Sequence, residues 1–419
     1  MSVNLTQKED QTKTDQRITA GRKLKVIHAI WWIPHYRASI FRQLSNNPNL
    51  DFTVVAGDDS EVLSGIHIDS AEEAGKLRGI NWRKVPSRHI KGPLFRGWEW
   101  QGETVKIVWK EDIDVVIGFC IKSLSSWLIA ISCRLKGIPY IDWSIGIMRP
   151  ERRLKWWIRK TYLKLANAHL LYGSWARDWY ASHGFKKEQL FIVHNSLNHA
   201  EQVRIRESIT ADDIKQVREK FGLIGPQDRL LFHSGRLELK KNLPLLFDAL
   251  KELKNAGRMI KLVIIGGGSE EQRLRNMVKE KGIDDRVIFY GVCYDEAEVG
   301  KIISASDLCV VPGVTGLIAM HSFVFGTPIL TRDNSAWLHG PEVEIVIEGK
   351  TGRFFRDGDL NDLVTKMQEM LYPVPWKEKM AEACKNIIDT QYTPEYQERI
   401  IIEAINYCLP PRKRILVPQ

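Results

Sequence analysis

The sequence predicts an α/β protein built as two parallel, doubly wound sheets in series, facing one another across an interdomain cleft. Three observations lead there. Short apolar runs alternate with helix-length amphipathic segments along most of the chain. Those runs are apolar at consecutive positions, the mark of strands covered on both faces. A polar, charge-rich segment at about 199–228 divides the series in two. Ligands of a doubly wound sheet sit at the carboxyl ends of its strands, so two such sheets place a site between them.

Taken in order, residues 25–31, 52–56, 115–118, 140–143, 169–172 and 191–193 read as strands of a first unit. Residues 230–233, 262–265, 287–290, 308–311 and 327–330 read as strands of a second, with amphipathic helices such as 243–253 and 270–281 between them. The expected limits are a tail over 1–22, a first domain over 23–205 and a second over 206–393. No internal repeat or low-complexity run interrupts them.

At 419 residues, 44% apolar and 27% charged, the chain has the composition of an ordinary globular protein with room for two or three cores. Its net charge of +10 is one-sided. Residues 1–200 hold 30 Lys+Arg against 19 Asp+Glu, or +11, and the remainder holds 31 against 32, or −1. The two halves are therefore expected to meet different partners. Six cysteines lie without metal-binding spacing, which argues against a disulfide framework or a metal site and for buried thiols in a reducing compartment. The polar N-terminal stretch has no apolar core of a secretory signal and reads as a disordered tail. The most apolar stretch, 115–133, is broken by Lys122, so no membrane-spanning helix is expected.

Three turns in the second half could carry chemistry. "HSGRLELKKN" follows a strand and leads into a helix, which sends Arg236 and Lys241 toward the cleft beside Gly235. A guanidinium, an ammonium and helix N–H groups together make a diphosphate clamp; a solvated charged loop is the plain alternative. "IIGGGSEE" turns on Gly266, Gly267 and Gly268, which would let a ligand approach the backbone, and it lacks the spacing of a dinucleotide fingerprint. The turn at Gly291-Val292-Cys293 could hold a planar base. "VVPGVTGLIAMHSFVFGTPIL" offers Thr315, Gly316 and Leu317 at another helix N-terminus.

These elements, in this order, resemble the retaining glycosyltransferases of family 4, which have the GT-B architecture of two facing Rossmann-like domains. The resembling residues are GRLxxxKN at 235–242, IIGxG at 264–268, VxFxG at 287–291, SDLxVxP at 306–312, Gly316-Leu317, GTP at 326–328 and ExxxxGxTGxxF at 344–355. The first half matches only in general pattern. The resemblance implies that the second domain binds a nucleotide-diphosphate sugar, UDP-linked before GDP-linked, as a co-substrate with no cofactor. It implies that the first domain binds the acceptor, and that a last helix at 394–407 crosses back onto it. Arg236 and Lys241 would be the catalytic cations of a metal-independent transfer; Gly235, Gly266, Gly268, Val292, Thr315, Gly316, Leu317 and His321 would line the donor.

The family's Glu-x7-Glu pair falls here on Gly313 and His321. Gly313 can make no side-chain contact, whereas His321 can bond a ribose hydroxyl or, alternatively, face the core. In front-face retaining transfer the leaving diphosphate accepts the acceptor's proton, so the enzyme's work is positioning and charge stabilisation. That work would pass to Arg236, Lys241 and the amides around Gly316, with altered donor-sugar recognition. A family histidine in the first domain falls at about Ile145, and His35, Tyr36 and Arg37 in the first loop are the nearest candidates to contact sugar or acceptor.

"RPERRLKWWIRKTYLK" reads either as a solvated face or as an amphipathic helix for an anionic membrane, with Arg152, Arg153, Lys155, Trp156, Trp157, Arg159 and Lys160 facing the lipid. With the resemblance, this implies an enzyme peripheral to the inner face of the cell membrane. It would extend a saccharide or undecaprenyl-diphosphate-linked acceptor in surface-polysaccharide or glycolipid synthesis. A sugar-nucleotide epimerase of the same architecture, needing no acceptor, is the competing enzyme class. An inactive basic module for membrane or nucleic acid is the competing non-enzymatic one. No nucleic-acid motif is present, and no nucleic-acid partner is expected.

Overall fold

The computed structural model describes residues 22–57, 75, 77–90, 98–119, 123–147, 151–333 and 339–418. The expectations for the tail at 1–21, and for Cys120, Lys122 and Arg149, fall outside them. Two parallel sheets account for the α/β class read from the sequence. The first contains β1 (Leu24–Ala29), β2 (Leu50–Gly57), β3 (Trp82–Val85), β6 (Val115–Gly118), β7 (Tyr140–Ser144), β8 (Ala168–Leu171) and β9 (Leu190–Ile192). Their order is β3-β2-β1-β6-β7-β8-β9, and β4 (Arg88–His89) pairs with β5 (Glu99–Trp100) in a separate small hairpin. The second sheet has the order β12-β11-β10-β13-β14-β15, formed by Arg229–Ser234 (β10), Ile260–Ile265 (β11), Val287–Gly291 (β12), Leu308–Val311 (β13), Ile329–Asp333 (β14) and Gly352–Arg356 (β15).

The central strands are apolar because helices cover both faces: every residue of β6, β8 and β13 is buried. Local signals set the helix ends. Thr210 and Asp213 form a reciprocal capping box, Asp295 caps Glu296–Ala305, and Gly137 closes Leu124–Lys136 in the left-handed conformation. Four strands escaped the sequence reading. β3 and β15 are edge strands with exposed arginines or lysines, and β4 and β5 span only two residues each, too short for a period to register. The run read at 327–330 begins two residues late as a strand, because Thr327 and Pro328 belong to the turn before β14.

Strand order reverses between β1 and β6 in the first sheet and between β10 and β13 in the second. Each reversal opens a crevice at the carboxyl ends of the strands. The chain crosses between the units near 193–198 and again near 391–397. Helix Pro394–Cys408 then packs Ile401, Ala404 and Ile405 into the core of the first sheet. Gln397 ties the crossings together, donating to the His194 carbonyl and accepting from Ser196 Oγ. Among the described residues no helix is long and apolar enough to span a membrane. Cys133, Cys309 and Cys384 are buried free thiols, while Cys293 and Cys408 are half-buried.

Candidate functional site

Three loops from β10, β11 and β12 meet at the carboxyl edge of the second sheet. Gly235 N donates to the Ile265 carbonyl and Gly266 N to the Gly291 carbonyl, which stitches the loops in sequence. Gly235 itself is exposed, at φ +125°. Gly266 and Gly268 also pack closely on the neighbouring loop. A Cβ on Gly266 would lie 2.2 Å from the Gly235 carbonyl oxygen, and one on Gly268 would lie 2.4 Å from that of Leu237. Val292 remains exposed at 59% on the third loop, open to the cleft side.

Arg236 is exposed at the turn after β10, and Lys241 follows at the end of a short 3-10 turn. The Lys241 ammonium is half-buried and reaches across the sheet reversal to donate to the Val314 carbonyl at 3.1 Å. Burial pulls its pKa below the usual lysine value. Val314 N returns a bond to the Lys240 carbonyl at 3.0 Å, so the loops after β10 and β13 are zipped together. That contact explains Gly313. A Cβ there would lie 2.1 Å from the Lys240 carbonyl oxygen, which leaves no room for a side chain of any kind.

The structure corrects the reading of Thr315. It is fully buried; its amide donates to His339 Nδ1 at 3.1 Å and its hydroxyl bonds Thr331 Oγ1. Gly316 and Leu317 are the partly exposed members of the turn. His321 lies on helix Ile318–Val324 and bonds Glu296 Oε1 at 2.8 Å, an atom that also accepts from Gln202. A carboxylate from a different helix thus stands beside His321.

The sequence reading missed the groups that close the cleft. The 3-10 turn Pro341–Ile345 carries Glu342 and Glu344 toward the first domain. Glu342 is buried, accepts from Asn195 Nδ2 across the domain boundary, and is raised above the usual carboxylate range by burial. Its Oε2 lies 3.9 Å from where a Cβ on Gly316 would stand, so the carboxyl group borders the turn near Lys241. Glu344 accepts from the amides of Ser174 and Trp175, both at 2.8 Å, at the first turn of helix Ser174–Ser182. An anion on a helix N-terminus is held by partial charges and two charge-assisted bonds. His339, 2% exposed, takes the Thr315 N–H on Nδ1, which leaves the neutral ring's proton on Nε2; that atom is buried with no partner. Burial lowers its pKa to about 4. Ile145 does face this region: with Ile147, Trp175, His339, Gly340 and Glu344 it lines a small interdomain cavity. The only prior signal for this cluster was Glu344 at the head of ExxxxGxTGxxF.

In the first loop, His35 and Tyr36 are partly exposed, whereas Arg37 is not the open cleft residue expected. It is 4% exposed and boxed by aromatic rings. The basic helix Arg153–Leu163 also needs correction. Arg152, Arg153, Lys155 and Trp157 are exposed and Lys160 partly so, but Trp156 packs against Trp179 and His183, and Arg159 is tied bidentately to Glu151. The outer face instead gains Leu154 (71% exposed) and Ile158 beside Trp157 (65%). Among the described residues no group of three His, Cys, Asp or Glu is placed to hold a metal.

Residues 214–387 match the Glycosyl transferases group 1 family. Over 114 residues the chain is 34% identical to the GDP-mannose-dependent alpha-(1-6)-phosphatidylinositol dimannoside mannosyltransferase of Mycobacterium tuberculosis, covering 26% of this chain and 29% of that enzyme. The match therefore spans less than a third of that relative's length. A glycosyltransferase structure from Rickettsia africae superposes with TM-score 0.71 at 13% identity, over 93% of this chain and all of that one. Anabaena Alr3699/HepE, solved with UDP and glucose, superposes with TM-score 0.67 at 14% identity, over 91% and 99%. The fold is GT-B, and the group 1 match lies within its second domain.

Proposed function

We propose that the protein is a retaining glycosyltransferase that moves a sugar from a nucleoside-diphosphate donor to an acceptor held by the first domain. The observation that carries this is Lys241 at the strand reversal, bonded to the Val314 carbonyl just before the Gly316 turn, with Arg236 exposed on the same loop after β10, within the region that matches the group 1 family. A leaving diphosphate there gains two cations and backbone amides as its charge grows, which is where a preorganised field lowers the barrier most. The base would lie along Val292 and the ribose near His321 and Glu296. UDP is the preferred nucleotide: the Anabaena neighbour was solved with UDP and glucose, while the mycobacterial relative uses GDP-mannose. Calorimetric titration with UDP and with GDP tests the assignment, and only one should bind at micromolar concentration.

Sugar recognition falls to groups the sequence motif lacks. Glu342 and the His339 Nε2 proton, brought from one turn, would take the hydroxyl contacts that Gly313 and Ile145 cannot make. Glu342→Gln is expected to lower kcat/KM by roughly 10- to 100-fold, the worth of one charged hydrogen bond at about 1.5–3 kcal/mol, and His339→Ala by roughly 2- to 10-fold, the worth of a neutral one at about 0.5–1.5 kcal/mol. UDP affinity should stay within about threefold. An equal loss in UDP binding would place both side chains in the scaffold instead.

The acceptor is proposed to be a saccharide or a diphosphate-linked lipid at an anionic membrane, the enzyme lying on its inner face. Support comes from Leu154, Trp157 and Ile158 standing exposed among Arg152, Arg153 and Lys155. Leu154→Ala with Trp157→Ala should remove about 2 kcal/mol of apolar insertion, roughly thirtyfold in partitioning onto anionic vesicles. Unchanged sedimentation with vesicles would leave this helix an ordinary solvated face.

A further inference from the structure

The first domain holds a buried cation that the chemistry above does not use. Arg37 ends the 3-10 turn His35–Arg37, in the loop that follows β1. This loop stands at the point where the first sheet's strand order reverses, between β1 and β6. Its guanidinium carbon lies 4.5 Å from the ring centre of Phe119, just past β6, 5.0 Å from that of Trp143 on β7, and 5.4 Å from that of Tyr172, just past β8. Arg37 is 4% exposed, and its Nε and Nη1 have no hydrogen-bond partner. Trp143 Nε1 and Tyr172 Oη, on two of the rings that box it, are likewise buried without partners. Tyr36 supplies its side-chain hydrogen bond.

An arginine does not shed its proton inside a protein, so this is a positive charge out of water. Aromatic faces attract it but offer no acceptors. Buried charges are paired in stable proteins, and none of the described carboxylates pairs with this one. The planar fork of a guanidinium matches an oxyanion, and the crevice is where a doubly wound sheet takes its ligand. We propose that Arg37, with Trp143 and Tyr172, forms an oxyanion site at the strand reversal of the first sheet, receiving a phosphate or diphosphate group of the acceptor beneath Tyr36. The identification of the ligand as an acceptor rests on the transferase reading; the anion site itself does not.

The full chain saturated with UDP, so that the donor clamp is filled, is titrated with inorganic pyrophosphate and with farnesyl diphosphate while Tm is followed. Both should raise the Tm of the native protein by several degrees and leave Arg37→Met unmoved, while the shift given by UDP alone is equal in the two. Without any anion Arg37→Met should melt no lower than the native protein, because an unbranched apolar chain in place of the arginine relieves the buried charge. If that variant does not fold, Arg37→Lys, which keeps the charge but loses the fork, should bind pyrophosphate at least tenfold more weakly. Tenfold tighter binding of farnesyl diphosphate than of pyrophosphate supports a lipid-linked source, and equal binding supports a free phosphorylated acceptor. The same anion response in native and Arg37→Met protein, or none in the native protein at millimolar concentration, overturns the site. A missing response to UDP alone counts against the donor clamp and leaves the Arg37 comparison intact.

Discussion

Replacing Arg236 and Lys241 together by alanine is expected to weaken UDP binding by roughly 10²- to 10⁴-fold. Each cation would make at least one charge-assisted contact to the diphosphate, worth about 1.5–3 kcal/mol. The two replacements should not act alike. Arg236 is exposed at its turn, so its loss should leave the fold untouched. Lys241 also fastens the loop after β13 through the Val314 carbonyl, so its loss should lower Tm by a few degrees as well. Calorimetry with UDP, beside thermal unfolding, separates these effects. If Arg236→Ala alone binds UDP as the native protein does, the clamp is misplaced.

The second large effect is acid lability. His28, His194, His233 and His339 are buried, and burial lowers their pKa values to about 3, 4, 4 and 4. Three of them lie within hydrogen-bond distance of a backbone carbonyl through Nδ1, from Ile117, Tyr172 and Val310; it is burial rather than these contacts that favours the neutral ring. In the unfolded chain each returns to its ordinary value near 6.5. Between about pH 6.5 and 4 the unfolded state therefore binds more protons than the native one, and stability rises with pH. Each histidine contributes about 1.4 kcal/mol per pH unit, so the four together reach roughly 5 kcal/mol per unit near pH 5. Glu342, raised by burial, opposes this with one group. The depressed carboxylates such as Glu151 lose their stabilisation only below about pH 4, outside this window. Urea midpoints at pH 7, 6 and 5 should fall steeply and together; a flat profile would mean that the histidines are protonated in the native state.

What was legible in the sequence was whatever a short window contains. The buried strands declared themselves by consecutive apolar residues, and β6 and β13 fall at the predicted residues. Lys241 and the Gly316 turn were found because each lies in a local strand–turn–helix pattern, and their proximity followed from the topology. What stayed hidden was assembled from afar. Glu342 meets Asn195 across 147 residues, and Glu344 meets the Ser174 amide across 170. No spacing rule connects such partners. The glycine turn shows a related gap: the sequence says that Gly266 and Gly268 admit a close neighbour, and it cannot say that one such neighbour is the protein's own backbone. Arg37 and Trp156 illustrate the same gap for side chains. Composition marks them as basic or amphipathic, yet which way each points is settled by the rings around it.

Glycine at position 313 is required by packing. The space for a side chain is filled by the Lys240 carbonyl, and a carboxyl group reaches the turn from Glu342. The domain boundary is drawn by the same short turn, since Glu342 and Glu344 each hold a group of the first domain. Donor recognition and domain closure therefore share one element in the proposed mechanism.

The most direct test of the central claim is nucleoside-diphosphate release from a panel of UDP- and GDP-sugars, with and without a membrane lipid extract as the acceptor source. The transferase account predicts release from one donor that depends on the extract and keeps the anomeric configuration in the product. Release without the extract would contradict it: a free sugar of unchanged configuration would make the site a hydrolase's, and an epimerised sugar would make it an epimerase's.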